Sequence, residues 1–329
     1  MTPSDVTTNK MGAADYRAGF VAMVGRPNTG KSTLTNAMVG HIIAITSSRP
    51  ETTRRVIRGV VTTHDGQLIL VDTPGLHRPR TLLGLRLNDM VRDALADVDA
   101  ALLCLPADEK LGPGDRYLMN LLAHQKVRTV AAVTKIDRVS HEALMTHLAA
   151  LGSLEGIDHI VPVSAFTGAN MDELVSVLVS QMPVSPPLYP PHAVSDVSED
   201  VMIAELIREA ALMDVRDELP HSIAVTVDDI VEVGADGSLR DVHIGQSAPV
   251  ADAQNAQAAH LRIHASIHVE RDSQKGIVIG HRGAKLAHIR KKARQSINKL
   301  LGVHVQLDLH VKVSPSWQRD PKMLERFGF

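Results

Sequence analysis

Residues 25 to 32 read Gly-Arg-Pro-Asn-Thr-Gly-Lys-Ser, with two glycines, a lysine and a hydroxyl at the offsets of a phosphate-binding loop. Gly25 and Gly30 let the backbone curl so that its N–H groups converge on phosphate oxygens. Lys31 adds a point charge at the β- and γ-phosphates, and the Ser32 hydroxyl is the expected Mg²⁺ ligand. Forty residues past Ser32 comes Asp72-Thr73-Pro74-Gly75, closing an apolar run. Asp72 there would reach Mg²⁺ through a water, and the Gly75 N–H would sense the γ-phosphate. Next, Thr134-Lys135-Ile136-Asp137 ends another apolar run. The acceptor-only carboxylate of Asp137 suits the two N–H donors on the guanine edge, a pattern adenine does not offer. Lys135 would lay its stem along the base, and the Ser164–Ala165 backbone would meet guanine O6. Singly these are weak signals, since Asp-Thr-Pro-Gly is also a good turn and Lys-x-x-Asp is often a solvated pair. In this order they specify GTP over ATP.

A second glycine pair, Gly280-His281-Arg282-Gly283, lies between two helical patterns. Two glycines allow close approach to a nucleic-acid backbone, as in the G-x-x-G loop of KH domains, which clamps about four nucleotides. After it, Leu286, Ile289, Ala293, Ile297 and Leu300 recur at three- and four-residue spacing and mark a buried helix face. Lys285, Arg290, Lys291, Lys292, Arg294 and Lys299 fall mostly elsewhere. With Lys275 upstream, the expected RNA contacts are Lys275, Gly280, His281, Arg282, Gly283, Lys285, Arg290 and Lys291.

The elements that position these groups divide the chain in two. Upstream, continuous apolar runs within 19–25, 66–75, 98–105, 128–137 and 159–165 alternate with crossover-length segments. That predicts an α/β phosphate-loop domain, its mainly parallel sheet covered by helices on both faces. Downstream, 261–270 and 303–313 alternate apolar and polar residues as half-exposed strands do, predicting an α+β domain with the type II KH arrangement. Between them lies a stretch holding Pro183, Pro186, Pro187, Pro190 and Pro191, expected to be extended and semi-rigid. The division is 1–18 a disordered tail, 19–182 the nucleotide domain, 183–197 the linker, and 198–329 the RNA-binding domain with its tail. Residues 234–258 read as an exposed loop.

Composition agrees with that division. Residues 261–329 carry 14 Lys+Arg against 5 Asp+Glu, and the remaining residues 21 against 32, so a formal charge of −2 hides a basic end. A basic module for a polyanion follows. One cysteine, Cys104, cannot form an internal disulfide, which predicts a reducing, cytoplasmic setting. The polar start of the chain lacks the apolar core of a signal peptide, and no apolar stretch nears the ~20 residues of a membrane span.

The ordered nucleotide motifs resemble those of the translation-factor-like GTPases. Together with the glycine loop and basic helix they resemble the Era family of bacterial ribosome-assembly GTPases, over nearly the whole chain from Gly19. The resemblance implies a GTPase with GTP/GDP and Mg²⁺ as its ligands, and contacts from Gly25, Arg26, Pro27, Asn28, Thr29, Gly30, Lys31, Ser32, Thr33, Asp72, Thr73, Pro74, Gly75, Thr134, Lys135, Asp137, Ser164 and Ala165. It places Thr52 and Thr53 in the first switch, with Thr53 favoured as the Mg²⁺ and γ-phosphate ligand beside Ser32 and Asp72. Lys31, Thr53 and Gly75 would then carry catalysis. It implies a monomer, a partner in the 3′ end of small-subunit (16S) ribosomal RNA or the 30S subunit, no DNA, and peripheral membrane contact, although no amphipathic anchor is evident.

Two departures from that pattern, and several further residues, stand out. Thr134 replaces the family's asparagine, which predicts the loss of an amide that braces the phosphate loop. Phe166 replaces the lysine that usually follows Ser-Ala, so modest guanine affinity is expected. Leu76 stands where Ras-like enzymes orient water with glutamine, and the expectation is that it turns away. Asn28 either helps to bind K⁺ near the phosphates or only braces its loop, and the residues leave both open. His264, His268, His304 and His310 read as surface residues on polar strand faces, without metal spacing. His77 and Arg78 read as a solvated loop. Trp317 reads as a packing anchor.

Overall fold

The computed structural model describes residues 15–46, 53–76, 81–214, 222–234, 238–241 and 260–329. A six-stranded sheet is built from β1 (Arg17–Val24), β2 (Ile57–Thr62), β3 (Gly66–Asp72), β4 (Ala100–Pro106), β5 (Arg128–Thr134) and β6 (His159–Pro162), in the order β2-β3-β1-β4-β5-β6. All pairs are parallel except the edge pair β2–β3. Every residue of β3 and β4 is buried, as expected of strands covered on both faces. One face packs on α1 (Lys31–Val39) and α5 (Met171–Gln181), through Leu34, Met38, Leu174 and Leu178. The other carries α2 (Leu82–Ala96), α3 (Pro113–Gln125) and α4 (His141–Gly152), through Val91, Leu95, Leu118, Leu122 and Leu151. Strand order reverses at β1, so a crevice opens at its carboxyl end, where the phosphate loop begins.

The second domain comprises α6 (Glu199–Asp214), β7 (Ala224–Val233), β8 (Leu239–Asp241), β9 (His260–Val269), α7 (Asp272–Ile279), α8 (Ala284–Leu301), β10 (Val305–Val313) and α9 (Pro321–Arg326). Its sheet runs β10-β9-β7-β8, with β10 parallel to β9 and the rest antiparallel. Ile289, Ala293 and Ile297 of α8 and Ile203, Ile207 and Ala211 of α6 cover that sheet's apolar face.

Several expectations need correction. The first strand begins at Arg17, so Arg17 and Ala18 belong to the sheet and not to a tail; residues 1–14 lie outside those described. The proline-rich segment is pinned to the sheet. Gln67 Oε1 accepts from the Leu188 and Tyr189 N–H groups, and the Val60 N–H donates to the Val194 carbonyl at 3.0 Å. The Val194 carbonyl, with the Ser195 hydroxyl donating to the Arg58 carbonyl, thereby caps the outer edge of β2. Leu239–Asp241 forms a strand inside the supposed loop, while 242–259 lie outside the described residues. Leu300 is 37% exposed and Leu286 half-buried, so the buried stripe of α8 narrows to Ile289, Ala293 and Ile297.

Candidate functional site

At the end of β1 the loop 25–30 leads into α1, whose first residue is Lys31. Lys31 is buried, and its Nζ donates to the carbonyls of Gly25 and Arg26 at 3.0 and 2.9 Å. Burial lowers its pKa, a cost that a bound polyphosphate would offset. Ser32 Oγ lies 2.9 Å from Thr53 Oγ1 and donates to Asp72 Oδ2 at 2.7 Å. Three oxygens from three separate segments therefore converge. Asp72 is fully enclosed, and burial raises its pKa to about 6 against the opposing pull of Ser32, Lys31 and Thr53. Its second oxygen, Oδ1, is buried without a hydrogen-bond partner. A hard divalent cation with its waters suits this all-oxygen set and that orphaned acceptor. Bound there, Mg²⁺ would neutralise charge on the terminal phosphates, with Ser32, Thr53 and Asp72 holding it. Thr52, His77 and Arg78 lie outside the described residues.

Gly75 approaches the phosphate loop so closely that a Cβ would sit 2.9 Å from the Pro27 nitrogen. Only glycine permits that contact between the Asp72 segment and the phosphate loop. Thr73 Oγ1 donates to the Met23 carbonyl at 2.7 Å and fixes the turn from behind. Leu76 is buried with Val24, Val91 and Leu105, turned into the core as expected. Arg26 is bound to Asp115 at 2.7 Å and Glu109 at 2.9 Å, tying the phosphate loop to α3. Asp115 went unread in the sequence because no motif marks it.

The base-reading residues surround a cavity of about 290 Å³, lined by Gly30, Thr33, Leu34, Thr134, Lys135, Asp137, Arg138, Ala165 and Phe166. Ser164 Oγ donates to Asp137 Oδ1 at 2.6 Å and orients the carboxylate. Thr134 corrects an expectation. Its hydroxyl donates to the Thr29 carbonyl at 2.7 Å in a buried bond, so the brace on the phosphate loop survives the loss of asparagine.

In the other domain, Gly280 has φ 71° and ψ 178°, and a Cβ there would meet that of Lys285 at 2.7 Å. Glycine is required. Arg282 and Gly283 are both left-handed, and His281 and Arg282 are exposed. Beyond this loop a cavity of about 460 Å³ runs between α8 and the β10 edge, lined by Ala287, Arg290, Lys291, Arg294, His260, His304, Gln306, Leu307 and Asp308. Ala287, Arg290, Lys291 and Arg294 share one helix stripe. The strand half of the groove was missed, and His304 belongs to it. His268 corrects a second reading. It is buried, bonded to Thr226 Oγ1 and Ser314 Oγ at 3.1 and 3.0 Å, and burial lowers its pKa to about 4.

The two sites are joined through the residues that follow Thr53. Arg54 is buried in the second domain, its Nη1 donating to the Ile223 carbonyl at 2.7 Å and its guanidinium 6.0 Å from the Trp317 ring centre. Arg55 and Arg86 donate to the carbonyls of Phe327 and Phe329 at 2.7 and 2.6 Å. Leu83 and Leu87 of α2 pack with Trp317, Leu324 and Phe327. Trp317 is thus the anchor expected, wedged between domains.

Comparison with known proteins decides the family. A model of 50S ribosome-binding GTPases matches residues 20–135, and a KH-domain model matches 250–318. GTPase Era of Mycolicibacterium smegmatis is 52% identical over 318 residues, covering 96% of this chain and 99% of that protein. The chain belongs to the Era family of GTPases. GTPase Era of Mycobacterium tuberculosis is 51% identical over 319 residues, with 96% and 99% covered. Among solved structures, Aquifex aeolicus Era in a point-variant form bound to GDP and aluminium fluoride superposes with TM-score 0.84 at 32% identity, covering 95% of this chain and 99% of that one. Era in complex with MgGDPNP and nucleotides 1506–1542 of 16S ribosomal RNA gives TM-score 0.85 at 32% identity, with the same coverage. As an Era-family member the chain is a GTP-hydrolysing enzyme with a KH domain. Its nucleotide geometry accords with GTP/GDP and Mg²⁺. No helix among the described residues is long and apolar enough to cross a membrane.

Proposed function

We propose that this Era-family GTPase is a cytoplasmic, monomeric checkpoint of 30S subunit assembly that binds 16S ribosomal RNA near its 3′ end and changes its grip when GTP is hydrolysed. One observation carries the proposal: Thr53, at the Mg²⁺ site, is followed directly by Arg54 and Arg55, which bond the RNA-binding domain. Loss of the γ-phosphate contact at Thr53 would free the segment that holds Ile223, Trp317 and Phe327. The RNA assignment draws support from the related structure solved with a 16S fragment, and from the basic groove beside Gly280–Gly283.

Hydrolysis is Mg²⁺-dependent and slow in isolation, because Leu76 is buried and supplies no hydrogen bond to water. On this reading Asn28, left-handed at φ 64° in the phosphate loop, helps to hold K⁺, which would offset charge developing on the leaving oxygen. Replacing K⁺ by Na⁺ then lowers turnover; equal turnover in the two salts removes K⁺ from the account. Peripheral contact with the inner membrane face is compatible with the family resemblance, and vesicle sedimentation tests it.

The decisive measurement is GTP turnover with and without purified small subunits, together with sequencing of RNA crosslinked to the protein in cells. Stimulation by subunits and crosslinks at the 3′ end of 16S RNA are expected. Absent turnover in both conditions would leave a constitutive RNA-binding protein with a structural nucleotide.

A further inference from the structure

The base cavity has a wall that the nucleotide motifs do not account for. Phe166 lines it beside Ala165, Thr134 and Lys135, yet the residue is 89% exposed, more than any other large apolar side chain among the described residues. A lone exposed phenylalanine is ordinary on a protein surface, so exposure alone decides nothing. Its place decides. The ring stands at a cavity whose polar contact, Asp137, is already oriented by Ser164. Leu34 and Ala165 add apolar surface there. Lys135 contributes its aliphatic stem, its ammonium being drawn off to Asp108 and Glu109 at 3.8 and 3.9 Å. Such a cavity offers an apolar face to a flat ring and one carboxylate to its edge.

We propose that Phe166 stacks on the guanine ring and sets how long the nucleotide stays bound. The proposal rests on the reading of this cavity as the guanine site and adds Phe166, which stands where the family pattern named in the sequence analysis carries lysine. Stacking is blind to the base edge, because every base has a π-face. Phe166 therefore supplies affinity and lifetime, while Asp137 supplies the choice of guanine. A planar aromatic ring also brings broad contact area to a purine, so the proposal implies firmer binding than the modest affinity expected from the missing lysine.

The test uses the full-length chain with GDP and Mg²⁺, measuring affinity by calorimetry and release by chase with excess unlabelled GDP. Phe166→Ala should weaken GDP about 5- to 150-fold, the range that base–aromatic stacking gives on alanine substitution, mainly through faster release. The melting temperature of the nucleotide-free protein should stay unchanged, since the exposed ring packs on nothing that would be lost. Phe166→Trp should keep slow release, and its added indole emission should be quenched by GDP. Phe166→Leu, apolar but not planar, should release as fast as the alanine variant. In an Asp137→Asn background, which should favour xanthine nucleotides, Phe166→Ala should weaken XDP by the same factor. A GDP lifetime within twofold of the parent in Phe166→Ala, or full recovery with leucine, overturns stacking while the guanine site stands. Failure of the unsubstituted chain to retain GDP overturns both.

Discussion

The phosphate loop and the Gly280–Gly283 loop both present glycines and cations to phosphates, but they keep their charge in different places. At the first, Lys31 is 6% exposed and surrounded by carbonyls, and Asp72 is wholly enclosed. At the second, His281, Arg282, Arg290 and Lys291 are all exposed. A buried cation acts in a medium that screens it little, so one lysine dominates and salt barely matters. Exposed cations share the work, and each contact contributes through release of counterions. A single small anion is held by the first arrangement, a long polyanion by the second.

The sharpest way to break this comparison is Lys31→Ala. Turnover should fall by about 10²–10³-fold, the usual cost of removing one preorganised charge from a phosphoryl-transfer site, with RNA affinity unaltered when both proteins are compared free of nucleotide. GTPase assays and RNA gel shifts on the same variant check both halves. Gly283→Asp should do the reverse. Position 283 has φ 79° and open space around it, and Asp adopts left-handed backbone comparatively well, so the fold should survive. A carboxylate facing phosphate should nevertheless weaken RNA binding about 100-fold, with GTP binding intact. For the parent, log RNA affinity should fall against log salt by about 0.7 per neutralised phosphate, while GDP affinity should vary little.

How much of this was legible in the sequence depended on whether contacts were local. The phosphate loop, Asp72, Asp137 and the KH glycines were readable because each motif's residues are neighbours in the chain. The strand half of the RNA groove was not. His260 and His304 stand 44 positions apart and meet only because β9 and β10 pair in register. Helix α6 was missed because Met202, Ile203, Leu206, Ile207, Ala210 and Leu212 bury nearly its whole circumference, leaving no apolar stripe to detect. Thr134 misled because side-chain identity, not reach, was compared, and a threonine hydroxyl reaches Thr29 as well as an amide would.

Smaller effects sharpen the comparison by testing what holds each site in place. Arg54→Ala removes a buried charged donor to Ile223 and exposes the Trp317 contact, and should lower stability by about 2 kcal/mol. Urea unfolding measures it, and stimulation of turnover by RNA should weaken in parallel. Thr134→Val keeps shape but deletes the buried bond to Thr29, and should reduce GDP affinity about fivefold, equivalent to ~1 kcal/mol. An unchanged affinity would mean that the phosphate loop needs no brace from β5.

The smallest expected effect is a pH dependence from the RNA-binding domain, at a histidine behind the sheet rather than in the groove. His268 is neutral in the fold, its pKa lowered to about 4 first by burial and then by Lys312 and Arg326, with Asp228 opposing. In the unfolded chain it would titrate near 6.5. A depressed folded pKa means that the unfolded state takes up the proton first. The stability His268 contributes is therefore complete above pH 6.5 and is lost as the pH falls from there to about 4. Neutral imidazole is what the site is built for, with one ring nitrogen on Thr226 and the other on Ser314, beside the Phe327 ring at 4.6 Å. His268→Gln should lose some stability at pH 7 through poorer packing on Phe327, yet decline less steeply than the parent between pH 6.5 and 4. Parallel slopes in urea titrations across that range would place the acid sensitivity at groups other than His268.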